Sequence, residues 1–149
     1  MTGNGHAPDD AAHVPAELVY PENLTKDSLR DLFLAAYMDA SFDDDGDVMI
    51  KEQYRSYLIP SSDSAWVRLY SPFKSAEAAT MEDKLAYCNK VNADLIIVRA
   101  YVTDKGGFVF EEYLPIEGGI TKRAIVLAVR RFHRMLDAAV RADEKNVLG

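Results

Sequence analysis

The chain has little of what catalytic or secreted proteins usually depend on. One cysteine, Cys88, stands among 149 residues. That excludes an internal disulfide and makes a reducing cytoplasm the expected compartment. No apolar run approaches the ~20 residues that span a bilayer, so no membrane association is expected. The opening segment MTGNGHAPDDAAHVPAE has neither a basic stretch nor an apolar one, the pattern of a chain that is not exported. Histidines number three, His6, His13 and His133, and no two share a metal-ligand spacing. A nucleophile elbow, a phosphate loop and a dinucleotide fingerprint are all missing. These gaps leave no catalytic, cofactor-binding or metal-binding residue to name, and the chain reads as a non-enzyme that needs no cofactor.

Positive charge is also scarce over most of the length. Residues 1–120 hold ten Lys and Arg against twenty-one Asp and Glu, whereas residues 121–149 hold seven against three. An acidic body repels phosphate over most of its surface, which argues against broad nucleic-acid affinity. The basic last section keeps a narrow form of that reading open.

What remains is ordinary globular material: 48% hydrophobic and 28% charged residues, enough for one core. Residues 1–20 lack periodicity and read as a flexible arm. Residues 21–143 read as one domain, with 144–149 as a tail. Thr25 caps a first helix in which Leu29, Leu32, Phe33, Ala36 and Ala40 recur at helical spacing. Three strand-like runs follow, DVMIKE, YRSYLI and AWVRLYSPF. Ser75 caps a second helix, on which Met81, Leu85, Cys88 and Val91 or Asn92 share a face. DLIIVRAYV and GFVFEEYLP then form a hairpin around Asp104-Lys105-Gly106-Gly107. Gly118-Gly119 breaks the chain before Thr121 caps a final helix. The order α-β-β-β-α-β-β-α gives an α+β fold, a largely antiparallel sheet incompletely covered by helices.

Two stretches invite a functional reading. In SFDDDGD, counted from Ser41, acids fall at the third and fifth places, Gly46 at the sixth and Glu52 at the twelfth, one residue short of a calcium loop. Strand-like sequence follows Glu52 where a calcium hand needs a helix, so Asp43, Asp44 and Asp45 read as a solvated helix-to-strand turn with Gly46 at positive φ. On the last helix, Arg123, Arg130, Arg134 and Arg141 fall within about 40° of one another. They form a ridge opposite the apolar stripe of Ile125, Ala128, Val129, Phe132, Leu136 and Ala139. The ridge is either a solvated outer face or a contact for phosphate or an acidic protein.

Adjacent residues of a strand point to opposite faces, so Glu111 and Glu112 cannot serve as a paired acid and base. The aromatics Tyr54, Tyr57, Trp66, Tyr70, Phe73, Tyr101, Phe108, Phe110 and Tyr113 fall in strands. Most are expected in the core, the remainder forming an adhesive patch on any uncovered sheet face.

The segment VRAYVTDKGGFVFEEYLPIEGGIT, with NKVNADLII before it and LRDLFLAAY and DDDGDV upstream, resembles the YbjN family of bacterial proteins over about residues 22–140. Leu114, Pro115, Glu117, Gly118, Gly119 and Thr121, the LP-x-EGG-x-T run, are the most specific part of the likeness. The resemblance implies a regulator of sensory transduction with a fold similar to the class I chaperones of type III secretion. Those are small, acidic, dimeric proteins that hold extended segments of partners. By that analogy Met81, Leu85 and Cys88 mark a homodimer surface. A cytoplasmic, non-enzymatic adaptor that dimerises and binds another protein is the expectation, with accessory nucleic-acid binding through the arginine ridge as its rival.

Overall fold

A computed structural model describes residues 17–149; the histidines His6 and His13 and most of the expected arm lie outside them. Three α-helices, α1 (Lys26–Ala35), α2 (Met81–Asp94) and α3 (Lys122–Arg141), accompany eight strands. Six of these build one antiparallel sheet: β2 (Ala40–Phe42), β3 (Val48–Lys51), β4 (Arg55–Pro60), β5 (Trp66–Phe73), β6 (Arg99–Val102) and β7 (Phe108–Pro115). Their spatial order is β2-β3-β4-β5-β7-β6. The remaining two, β1 (Leu18–Val19) and β8 (Ile120–Thr121), pair with each other. This is the expected class, mixed helix and antiparallel sheet.

All three helices lie on one face of the six-stranded sheet. Alternation sends Ser56, Leu58, Val67, Leu69, Phe108, Phe110 and Leu114 to that side, where every one of them is buried. There α3 contributes Ile125, Val129, Phe132 and Leu136, each fully buried. Helix α2 sets the Tyr87 ring edge-on to Phe108 and Phe110, and the Tyr87 hydroxyl donates to the Ala139 carbonyl of α3 at 2.6 Å. Helix α2 also guards an open edge. The Asn92 amide brackets Ala100 of β6, accepting from its N–H at 2.7 Å and donating to its C=O at 3.0 Å, which pairs backbone groups that would otherwise template another strand.

Several sequence expectations need correcting. The first helix stops at Ala35 instead of continuing through Ala40, because Tyr37 turns left-handed at φ 59° and Met38 donates back to the Phe33 carbonyl. Ala40 then opens β2, so SFDDDGD joins two strands and is no helix-to-strand turn. Thr80 caps α2, its hydroxyl accepting from the Asp83 N–H. Ser75 instead bridges Leu148. Leu95 to Val98 are not strand: the Val98 amide donates to the Ile96 carbonyl across Ile97 at φ 74°, a strained γ-turn.

The ordered unit is also wider than residues 21–143. Val19 pairs with Ile120 and is buried. At the other end Val147 is buried, and the C-terminal residues bond back to Lys74 and Ala76.

The LP-x-EGG-x-T run forms the joint between sheet and α3. Leu114 is buried, Pro115 ends β7 and Glu117 is exposed. Gly118 and Gly119 take φ 83° and 92°, and Thr121 accepts from the Ala124 N–H at 3.0 Å. A β-carbon at Gly119 would meet the Tyr20 ring at 2.6 Å.

Candidate functional site

The face of the sheet away from the helices carries nothing above it within the described residues, and its side chains organise themselves. Tyr57 and Tyr70, partners in register across β4 and β5, stack with ring centroids 5.2 Å apart. The Arg68 guanidinium lies 4.4 Å above the Tyr70 ring. Its Nε donates to the Glu111 carboxylate at 2.7 Å and its Nη2 to the Tyr101 hydroxyl at 3.0 Å. From the other side Arg99 of β6 also donates to Glu111 and lies over Tyr101. Glu111 is 1% exposed although no helix covers it; arginine and tyrosine side chains alone exclude water. At one end of the face Trp66 and Tyr113 remain 46% and 49% exposed.

Five of the nine strand aromatics expected mainly in the core therefore line this face: Tyr57, Trp66, Tyr70, Tyr101 and Tyr113. Tyr54 lies in the connection between β3 and β4. Period-2 alternation marked two faces in the sequence but carried no mark of which one the helices cover.

Glu112, the next residue, points the other way, as alternation requires. It is buried on the helix side and accepts from Arg131 of α3 at 2.5 Å. Burial holds its carboxyl above the usual carboxylate range, an effect the Arg131 charge opposes. The arrangement is an ion pair tying helix to sheet, with no second ionisable group converging on it.

The proposed dimer surface divides. Met81 and Leu85 are exposed, Leu85 at 55%, as are Ile96 (69%) and Ile97 in the turn after α2. Cys88 is buried with Tyr87 and Val91 on the core-facing side. At 100° per residue that core arc is centred about a quarter turn from Met81 and Leu85, so Cys88 belongs to the interior. Burial pushes its thiol pKa up, which suits an inert small hydrophobe.

Arg123, Arg130, Arg134 and Arg141 are all exposed on one side of α3. Arg141 pairs with Asp137 at 2.6 Å, and Arg130 reaches towards the Ala36 carbonyl at 3.4 Å. The middle of this ridge borders a cleft of about 540 Å³, lined also by Tyr37, Met38, Glu52, Gln53 and Tyr54. The ridge was legible from the 7-4-7 spacing of its arginines; the cleft was not, because three separated segments make it. His133 also lines the cleft, half-buried, its Nε2 2.9 Å from the Ser56 hydroxyl, and burial lowers its pKa.

The acidic loop has a hairpin's job. The Asp43 carboxylate accepts from the amides of Asp45 and Asp47 at 3.0 and 2.8 Å, Gly46 supplies φ 80°, and Asp47 pairs with Lys26. A strand follows Glu52 as the sequence indicated. No described helix is long and apolar enough to cross a membrane.

The family model described as "YbjN: Putative bacterial sensory transduction regulator" matches residues 25–145. Among curated proteins none matches. Solved structures that share the fold include the following three. The first is "YbjN, a putative transcription regulator from E. coli", with TM-score 0.75 and 14% identity over 89% of this chain and 99% of that one. The second is the HopA1-SchA chaperone-effector complex, with TM-score 0.54 and 14% identity over 78% of this chain and 90% of that one. The third is the Yersinia pestis type III secretion chaperone SycH in complex with a stable fragment of YscM2, with TM-score 0.54 and 10% identity over 79% and 99%. The fold is that of type III secretion chaperones.

Proposed function

The chain belongs to the YbjN family, and we propose that it is a non-enzymatic, chaperone-like adaptor that homodimerises, binds a partner protein and acts as a regulator in the bacterial cytoplasm. The observation that carries this reading is the uncovered sheet face, an ordered aromatic and arginine surface ending in the exposed Trp66 and Tyr113. Large amphipathic side chains held rigidly in the open are the composition of protein contact surfaces, not of reaction centres. Effector-bound relatives of the same fold lend support.

The second copy is assigned to a different surface. Met81 and Leu85 on α2 and Ile96 and Ile97 in the turn after it are large apolar side chains left exposed, and exposed apolar surface of this kind marks association sites. Sedimentation velocity at micromolar concentration is expected to show a dimer, and Leu85→Glu a monomer that keeps the wild-type far-ultraviolet circular dichroism and melts somewhat lower, by the stabilisation that dimerisation gave. A wild-type monomer refutes the dimer. Affinity capture from the native cytoplasm, comparing wild type with Trp66→Ser/Tyr113→Ser, tests the partner face: a protein retained by the first and lost by the second is expected. Identical capture by both removes the open face from the account.

A second reading rests on the exposed arginines of α3. Accessory nucleic-acid binding through Arg123, Arg130, Arg134 and Arg141 requires duplex binding that falls steeply with salt and disappears in Arg130→Glu/Arg134→Glu. No binding at low salt ends it.

A further inference from the structure

The cleft between the end of α1, the β3–β4 connection and the middle of α3 has the makings of a ligand site that the adaptor reading does not use. Its volume, about 540 Å³, lies in the ordinary range for small-molecule pockets. Arg130 and Arg134 line it from successive turns of α3. A spacing of four residues puts two guanidiniums on one side, roughly 6 Å apart at their base, within reach of a single carboxylate or phosphate. Neither makes an ion pair among the described residues. The two carboxylates of the cleft do not neutralise them. Asp137 is engaged by Arg141 and lies near the Tyr54 hydroxyl, and Glu52 stands alone against two guanidiniums.

A second, independent observation comes from Tyr37. It occupies the position after the α1 C-cap with φ 59°, a place that favours glycine because a β-carbon is strained there. Its side chain is fully exposed. The left-handed turn itself ends α1, but folding does not require that an aromatic side chain occupy it, fully exposed beside Arg130 and Arg134. Strain of this kind clusters at ligand clamps and other functional sites. Met38 and Tyr54 supply further apolar wall.

We propose that this cleft binds an organic anion: an aromatic or apolar body resting on Tyr37, Met38 and Tyr54, and a carboxylate or phosphate held by Arg130 and Arg134. Such a group can be a free metabolite or a phosphorylated or acidic side chain on a partner, since both present the same chemistry. Either source makes the adaptor responsive to a ligand at a site separate from its open sheet face.

The test uses the full chain, with phenyl phosphate as probe. Amide shifts in a ¹H–¹⁵N spectrum are expected to cluster at Met38, Gln53, Arg130 and Arg134. Benzyl alcohol, which lacks the charge, and inorganic phosphate, which lacks the body, should each bind at least about tenfold more weakly. Arg130→Gln/Arg134→Gln should abolish the shifts, and Tyr37→Gly should weaken phenyl phosphate while leaving inorganic phosphate unchanged. Both changes lie on the surface, and a retained melting temperature confirms that the variants fold. A blocked phosphotyrosine peptide that binds more tightly than phenyl phosphate identifies a partner side chain as the source; weaker binding identifies a free ligand. Equal affinity for inorganic phosphate, shifts scattered along the whole arginine ridge, or undiminished binding by the arginine double variant overturns the proposal. A DNA duplex that binds while phenyl phosphate does not overturns it in favour of nucleic acid. The adaptor reading stands or falls separately, on the Trp66/Tyr113 and Leu85 variants.

Discussion

Glu111 and Glu112 are neighbours in one strand, both almost free of solvent and both held by arginine, yet they belong to different parts of the molecule. Glu112 faces the helices, and its pair with Arg131 fastens α3 to the sheet. Glu111 faces away, and its pairs with Arg68 and Arg99 order a surface on which no other element of the described residues rests. One face of the sheet is consumed in making the fold. The other is kept ordered for a different purpose, and that asymmetry points to contact as the protein's mode of action.

The sharpest way to break the comparison is to cut one aromatic from each face. Phe110→Ala removes a fully buried ring from the covered side and should cost about 3–5 kcal/mol in urea denaturation, whereas Tyr113→Ala on the open side should cost under about 1 kcal/mol. Equal losses would mean that the open face is also core. Next in size is Gly119→Val at the joint that seats α3. A β-branched residue at φ 92° facing the Tyr20 ring should lower stability by about 3 kcal/mol. An unshifted thermal transition would contradict the structural role of the EGG run.

The two glutamates come third. Glu112→Ala leaves the partly buried Arg131, whose Nε already lacks a partner, without its carboxylate, and about 2–3 kcal/mol should be lost. Glu111→Ala releases arginines that can turn to water, so about 1 kcal/mol is expected. The reverse order would dissolve the distinction between fastening and surface pairs.

The smallest effect is one of pH. Burial lowers the pKa of His133 below its ordinary 6.5, so the folded state prefers neutral imidazole while the unfolded chain takes up the proton at its usual value. The stabilisation is complete above about pH 6.5 and is lost as pH falls through the lowered folded value. Urea midpoints measured between pH 7.5 and 5 should decline on this account, and His133→Gln should flatten the profile in that window.

Much of the fold was legible in the residues. The alternation in β4, β5 and β7, the caps at Thr25 and Thr121 and the glycines before α3 all work locally, and local patterns show in a sequence. Where the reading failed, a tertiary choice had decided. Ala36 and Ala40 fit a helical stripe as well as a turn and a strand, and only the pairing of Ala40 with Ile50 selects the strand. Cys88 sits within one residue of both the inward and outward arcs of α2, and only the packing of Tyr87 against Phe108 fixes the rotation. Incomplete cover of the sheet was expected, but which face stays open has no local signature, and neither has the cleft.

The most direct test of the central claim is thermal denaturation and partner capture of one triple variant, Trp66→Ser/Tyr113→Ser/Tyr57→Ser. The account predicts a melting temperature within about 4 °C of wild type together with loss of the captured partner. A collapse in stability like that of Phe110→Ala, or intact capture by a folded triple variant, contradicts it.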